Sequence, residues 1–432
     1  MAPGRMLYDP VSMTRSGTLV AALAAVAFGC SKPQAPPPRT PPPPTTAAPE
    51  PVPAPAPEGQ DFAQEARILD RVVACHGSEP PPAPLDAGVV KEHCARLEKL
   101  MKRYRKTYVD EAEPFIARLR PAGLPTTVVY PFGGGDLVSA LTTYPDATEI
   151  TTLSLEQAGD PRRIRSLDQK QLARSLDLVR RTIAPLLSLN DSTSENLMKG
   201  QRGEIPGQVA FFLVGLAVHG YEPVSLRYFH VQPDGGLHYL SADEIAAEEK
   251  AGPKRLKASW RPPDFSPAFA DMELGFRPRG ASASAPPRIH RHIGTNLADA
   301  ALRKEPGLLR YLESRGRVCA MTKAATYLLW RDDFKTIRDY LLGHMDFMVS
   351  DSTGIPPRFA VPAGFTLETY GRFSGSFLGA NKAVNDELRR LFQTQPHRPL
   401  LFRYGYLDAG GRYHMILTRK AERPPVRASG AP

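Results

Sequence analysis

The run Tyr130-Pro131-Phe132-Gly133-Gly134-Gly135-Asp136, with Glu156 about twenty residues further on, has the residue types that hold a small ligand at a strand end. Glycines let a backbone turn come close to a bound group, and a carboxylate at that spacing can accept the hydroxyls of a ribose. Gly133, Gly134, Gly135 and Glu156 are therefore the candidate cofactor- or ligand-binding residues. Asp351, in the turn Asp351-Ser352-Thr353-Gly354-Ile355-Pro356, is a third strand-end carboxylate, so Asp136, Glu156 and Asp351 are the candidates for acid–base chemistry. An aspartic-protease reading of Asp351 needs a second motif sharing one proton, and Glu156-Gln157-Ala158-Gly159 is not one.

Other chemistries find less support. There is no G-x-S-x-G elbow and no H-E-x-x-H pair. His290-Arg291-His292 on a strand would turn both imidazoles to one face, but without a carboxylate or Cys nearby in sequence they read as surface basic residues, and no metal is expected. Cys319, in Val318-Cys319-Ala320-Met321, reads as a buried small hydrophobe.

The elements around the glycine turn are a β-rich run (126–132), a short helix (137–144) and a second β-rich run (149–155). Strand, glycine turn, helix and strand form half of a doubly wound unit. The arrangement resembles the first βαβ of class I methyltransferases, although its glycines do not follow G-x-G-x-x-G and Pro131 precedes the turn. Helical patterns follow at 168–189 and 207–218, then a strand (223–231) and a hairpin through Pro233-Asp234-Gly235-Gly236. The second half repeats the order loosely: strand 317–321, helix 323–342, strand 346–350, helix 380–392 and a hairpin joining 400–407 to 412–419. Leu226-Arg227-Tyr228 against Phe402-Arg403-Tyr404, and Glu156–Pro161 against Asp351–Pro356, are echoes that fit a duplication or coincidence. The expected fold is α/β: a mostly parallel, Rossmann-like sheet flanked by helices, with two similar halves as one option, preceded by a helical pair.

The chain before this body reads as an address. Leu19–Phe28 is apolar or small throughout, too short to span a bilayer, and ends in Gly29-Cys30. Ala27-Phe28-Gly29-Cys30 resembles the lipobox of bacterial lipoproteins, in which the Cys becomes the acylated mature N-terminus. That resemblance implies a signal peptide over 1–29 and lipid on Cys30, and Ser31 rather than Asp after it favours the outer membrane. Much of the proline excess of the chain, 45 in 432 residues, lies in the following segment, so 30–60 reads as an extended tether reaching on the order of 80 Å. Export implies an oxidising compartment. Cys75 ends one helical pattern and Cys94 begins another, with Pro80-Pro81-Pro82 between them, so two antiparallel helices can join their sulfurs.

The remaining boundaries are a helical pair at 61–120, a first α/β half at 121–245, a polar loop or linker at 246–287, a second half at 288–420 and a tail at 421–432. A net charge of +10 without interleaved aromatics argues against nucleic acid and suits an anionic envelope polymer, a protein partner, or the membrane reached through the lipid. Tyr130-Pro131-Phe132 with Gly135-Asp136, Leu155-Glu156-x-x-Gly159 and Asp351–Pro356 together resemble a family of secreted or lipid-anchored bacterial proteins of unassigned function. An exported protein meets essentially no S-adenosylmethionine or NAD, so no cofactor is expected. The leading expectation is a ligand- or partner-binding module of the cell envelope. The alternative is an extracytoplasmic enzyme, a hydrolase or a degenerate methyltransferase-like protein, with a carboxylate site at the strand ends.

Overall fold

Val128, Val129 and Tyr130 are all buried, and successive side chains of a strand point to opposite faces, so the sheet that holds them must be covered on both sides. In a computed structural model of the chain, Val128 and Tyr130 join one apolar cluster and Val129 the other. The structure describes residues 59–77, 80–189, 204–252 and 266–421. All of these lie in one compact unit, Ala56–Pro432. The signal segment, Cys30, the tether and the tail from 422 lie outside the described residues.

Among the described residues the sheet has ten strands, in the order β4 (Leu237–Tyr239), β3 (Tyr221–Val231), β5 (Asp271–Pro278), β6 (Arg288–Gly294), β2 (Glu149–Ser154), β1 (Thr127–Pro131), β7 (Val318–Thr322), β8 (Met345–Ser350), β10 (His414–Lys420) and β9 (Phe365–Gly371). Its middle is parallel: β6, β2, β1, β7 and β8. Antiparallel strands extend both edges. On one side are β5, β3 and β4; on the other are β10 and β9. The fold is thus α/β with a mixed sheet rather than a mostly parallel one. Short connections such as the 233–236 turn can only join antiparallel strands, whereas the central strands are linked by helical crossovers.

Helices α1 (Ala63–Val72), α2 (Ala87–Tyr104), α3 (Asp110–Ala117), α4 (Leu137–Thr143), α5 (Gln169–Leu189) and α6 (Gly207–Val218) contribute to the first cluster. The segment expected to be a helical pair therefore contains three helices that share the core of the α/β body. The opposite face is covered mainly by helices Pro306–Ser314, Lys335–His344 and Lys382–Thr394. Helix α6 is apolar all round and almost wholly buried, and Gly215 lets it approach α4: a Cβ there would lie 3.0 Å from the Val138 nitrogen. The expected Cys75–Cys94 disulfide is present, with its Cα atoms 5.2 Å apart.

Three local expectations fail. The stretch 246–287 is not a linker, because β5 runs through it with Met272, Leu274 and Phe276 fully buried. Its alternating apolar residues were obscured by the polar sequence before and after them. The helix expected from 323 starts at Lys335, after an irregular segment in which Ala324, Thr326 and Tyr327 adopt positive φ. β10 pairs with β8 and β9 rather than with 400–407, which holds no regular strand, so the Leu226/Phe402 echo matches a strand with an irregular segment.

Candidate functional site

In chain order β1 leads to β2 on one side, and β7 leads to β8 on the other. The strand order therefore reverses between β1 and β7, and open α/β sheets bind ligands in the crevice beyond the carboxyl ends at such a point. A cavity of about 370 Å³ opens there.

Phe132, directly after β1, has φ 61° and Gly134 has φ 49°, so the chain turns sharply. Gly133 and Gly135 are required by packing: a Cβ would lie 2.8 Å from the Tyr130 ring or 2.7 Å from the Phe211 ring. Gly133 and Gly134 line the cavity, and Gly135 is turned towards α6. After β7, Ala324 at φ 56° makes a comparable turn on the opposite wall. Left-handed non-glycine residues on both walls are the kind of backbone strain that gathers at binding sites.

Asp136 caps α4, its Oδ1 accepting the Ser139 N–H at 3.3 Å. Its Oδ2 accepts the Tyr130 hydroxyl at 3.1 Å and lies 2.6 Å from Lys323 Nζ. Lys323 Nζ also donates to Ser139 Oγ at 2.7 Å. The lysine and aspartate side chains are almost fully buried, so each compensates a charge the other could not carry alone. Burial, followed by the Asp136 charge, holds the Tyr130 phenol well above its ordinary range, so it stays a donor. Lys323 escaped the sequence reading. The only sign of it was a lysine directly after a strand apolar on both faces.

Glu156 is 1% exposed and lines the same cavity, and among the described residues neither of its carboxylate oxygens has a hydrogen-bond partner. Its backbone is held firmly: the carbonyl oxygen accepts from His292 Nε2 at 2.7 Å. His292 Nε2 must therefore carry the proton, so Nδ1 accepts from Thr152 Oγ1 at 2.9 Å, and Thr152 in turn accepts from His290 Nε2 at 3.0 Å. The two histidines point to one face as expected from β6, but they are fully buried rather than at the surface. Phe212 of α6 packs on both.

Asp351 does not line this cavity. Its Oδ2 accepts the Ala324 and Tyr406 N–H groups, both at 3.0 Å, and its Oδ1 accepts the Thr353 N–H at 2.9 Å and the Thr353 hydroxyl. With four donors, Asp351 ties the turn after β7 to the end of β8 and leaves no free lone pair aimed at a substrate. Of the three candidate carboxylates, the fold brings together Asp136 and Glu156. Cys319 is buried, its thiol pushed up to about 12 chiefly by burial.

The remaining lining is largely apolar, including Leu155, Leu297, Leu328, Phe334 and Tyr406, with Ser154 and Asn296 among its polar groups. The Ser154 hydroxyl is buried without a partner. A site of this composition can enclose a compact, partly apolar molecule and take hydrogen bonds from it at Glu156. A metal is less well served. Among the described residues, the one trio of ligand types close together is Cys75, His93 and Cys94, whose sulfurs are bonded to each other. No described helix is long and apolar enough to cross a membrane. No protein-family model, curated protein or solved structure matches this chain.

Proposed function

We propose that the protein is a lipid-anchored module of the bacterial cell envelope that binds a small ligand carrying two adjacent hydroxyls on a ring, of nucleoside or sugar class, in the crevice between β1 and β7. The observation that carries this reading is Glu156. A buried carboxylate with both oxygens unpartnered is costly, and a small shift of this side chain into the cavity its residue lines would let a pair of ligand hydroxyls supply the partners. The apolar lining suits the face of a ring, and Ser154 offers one further polar contact. Cys30 and the proline tether, read from the sequence, support the anchoring.

Sheet order supports the nucleoside class in particular. Counted without β3, β4 and β5, the seven strands from β6 to β9 are laid out third, second, first, fourth, fifth, seventh and sixth in chain order, with β10 alone antiparallel among them. With β3, β4 and β5 set aside as an insertion, this layout resembles the class I methyltransferase sheet, in which the carboxylate after the second strand takes ribose hydroxyls. Binding is favoured over catalysis because the two charged groups beside the glycine turn, Asp136 and Lys323, are committed to each other and to Ser139.

Thermal unfolding with adenosine, 2′,3′-dideoxyadenosine, S-adenosylhomocysteine and a panel of monosaccharides tests the reading. A vicinal-diol ligand should raise Tm of the wild type in a concentration-dependent way, lose the effect when its hydroxyls are removed, and fail with Glu156→Gln. If no diol shifts Tm, or the dideoxy compound acts as well as adenosine, the reading falls.

A further inference from the structure

A second concavity, of about 480 Å³, lies on the disulfide side of the body. Arg67 and Arg71, one turn apart on α1, form part of it; Arg277 and Arg279, alternate residues at the end of β5, form another part. Four guanidinium groups thus share one site with two carboxylates, Asp70 and Glu222. Asp70 is already engaged, its Oδ2 lying 3.1 Å from His76 Nδ1. Glu222 stands opposite Arg277 in the β3–β5 register. Among the described residues, Arg67 and Arg279 form no salt bridge, whereas Arg71 Nη1 donates to the Pro80 carbonyl at 3.1 Å and Arg277 Nη1 to the Ser282 carbonyl at 2.9 Å, leaving the buried Nε of Arg277 without a partner.

The wall of the site is fixed rather than loose. Cys75 at φ 61° and Gly77 at φ 117° turn the chain so that His76 sits over Asp70, and the Cys75–Cys94 bond holds that turn. Like charges gathered on a concave surface repel one another, and an anion in their midst relieves the repulsion. Guanidinium forks match the oxygens of a phosphate, with two donors to each oxygen pair. Between Arg67 and Arg71 on α1, Asp70 Oδ1 is buried without a partner among the described residues, and a small shift of that side chain towards the concavity would let it accept a hydroxyl.

We propose that this concavity is a second binding site, separate from the strand-end crevice, for a phosphorylated sugar, with the phosphate among the four arginines and a sugar hydroxyl on Asp70. The same chemistry occurs in a soluble sugar phosphate and in the phosphorylated sugar headgroup of a glycolipid.

Calorimetric titration with glucose 1-phosphate and with glucose, alongside flotation on phosphatidylcholine vesicles with and without monophosphoryl lipid A, distinguishes these sources. The phosphate-bearing probe should bind and its unphosphorylated counterpart should not, with affinity falling as salt rises. Arg277→Gln/Arg279→Gln and Arg67→Gln/Arg71→Gln should each weaken binding by about tenfold or more, as expected for lost charge-assisted hydrogen bonds, with thermal unfolding left cooperative. Binding of glucose 1-phosphate identifies a soluble ligand; binding only to the lipid A vesicles identifies the glycolipid. The proposal is overturned if neither probe binds, or if both double variants bind as the wild type does.

Discussion

His292 Nε2 donates to the carbonyl oxygen of Glu156 at 2.7 Å, and this contact fixes the backbone of a crevice-lining residue whose buried carboxylate has no hydrogen-bond partner among the described residues. The donor is held in its tautomer by Thr152, so the proton chain from His290 to Glu156 runs in one direction. A rigid backbone under an unsatisfied side chain is what a preorganised binding group requires.

The unpaired carboxylate should cost stability. Glu156→Gln is expected to raise the unfolding free energy by about 1–3 kcal/mol while abolishing ligand-induced stabilisation, a trade of function for stability. Urea titration of both proteins without ligand checks it, and a clear loss of stability in the variant would count against the assignment.

The Asp136–Lys323 pair should behave as a unit. Asp136→Asn or Lys323→Met alone leaves one buried charge uncompensated and should cost about 3–5 kcal/mol, and the double variant should cost less than the sum. A double-mutant cycle by denaturant unfolding gives the coupling directly, and strict additivity would mean the two charges do not depend on each other.

The Cys75–Cys94 bond closes a loop with a sequence separation of 19 residues. Cys75→Ser/Cys94→Ser should lose about 3 kcal/mol, mainly through the wider freedom of the unfolded chain. The same loss should appear in the wild type under reductant, measured as a shift in urea midpoint, and equal midpoints with and without reductant would contradict it.

Acid should destabilise the fold. Burial is the largest cause lowering His93, His219 and His292 to about 4, and it also lowers His290 and His414. An unfolded histidine titrates near 6.5, so between that pH and about 4 the unfolded chain binds more protons than the folded one. Stability is therefore full above about pH 6.5 and falls as pH drops, by up to about 3 kcal/mol for a single histidine lowered to about 4. Buried Asp70 and half-buried Glu113, whose carboxyls are raised chiefly by desolvation, oppose this in the acid range, two groups against five. Urea midpoints at pH 7.5 and 5 should differ in that direction, and a flat profile would refute the assignment of neutral buried imidazoles.

Features under local chemical control can be read from the order of residues. The glycine turn and the βαβ through Glu156 were legible because strand, turn and helix periodicities differ within a few residues. The Cys75–Cys94 pairing followed from two helices and the proline turn between them. Hairpin β3–β4 followed from Pro233-Asp234-Gly235-Gly236. Which distant groups meet depends on how the strands and helices pack. Lys323 reaches Asp136 because β7 lies beside β1, and no local pattern encodes that adjacency. The same holds for His290 and His292, whose charge-bearing residue type suggested a surface until β2, β6 and α6 enclosed them. Glu156 and Asp351 look alike in sequence, each a carboxylate in a strand-end turn, and their difference is geometric. Asp351 meets the backbone donors of two other segments, while no donor among the described residues reaches the Glu156 carboxylate beside the cavity, and the satisfaction of a buried carboxylate depends on what the rest of the chain brings to it.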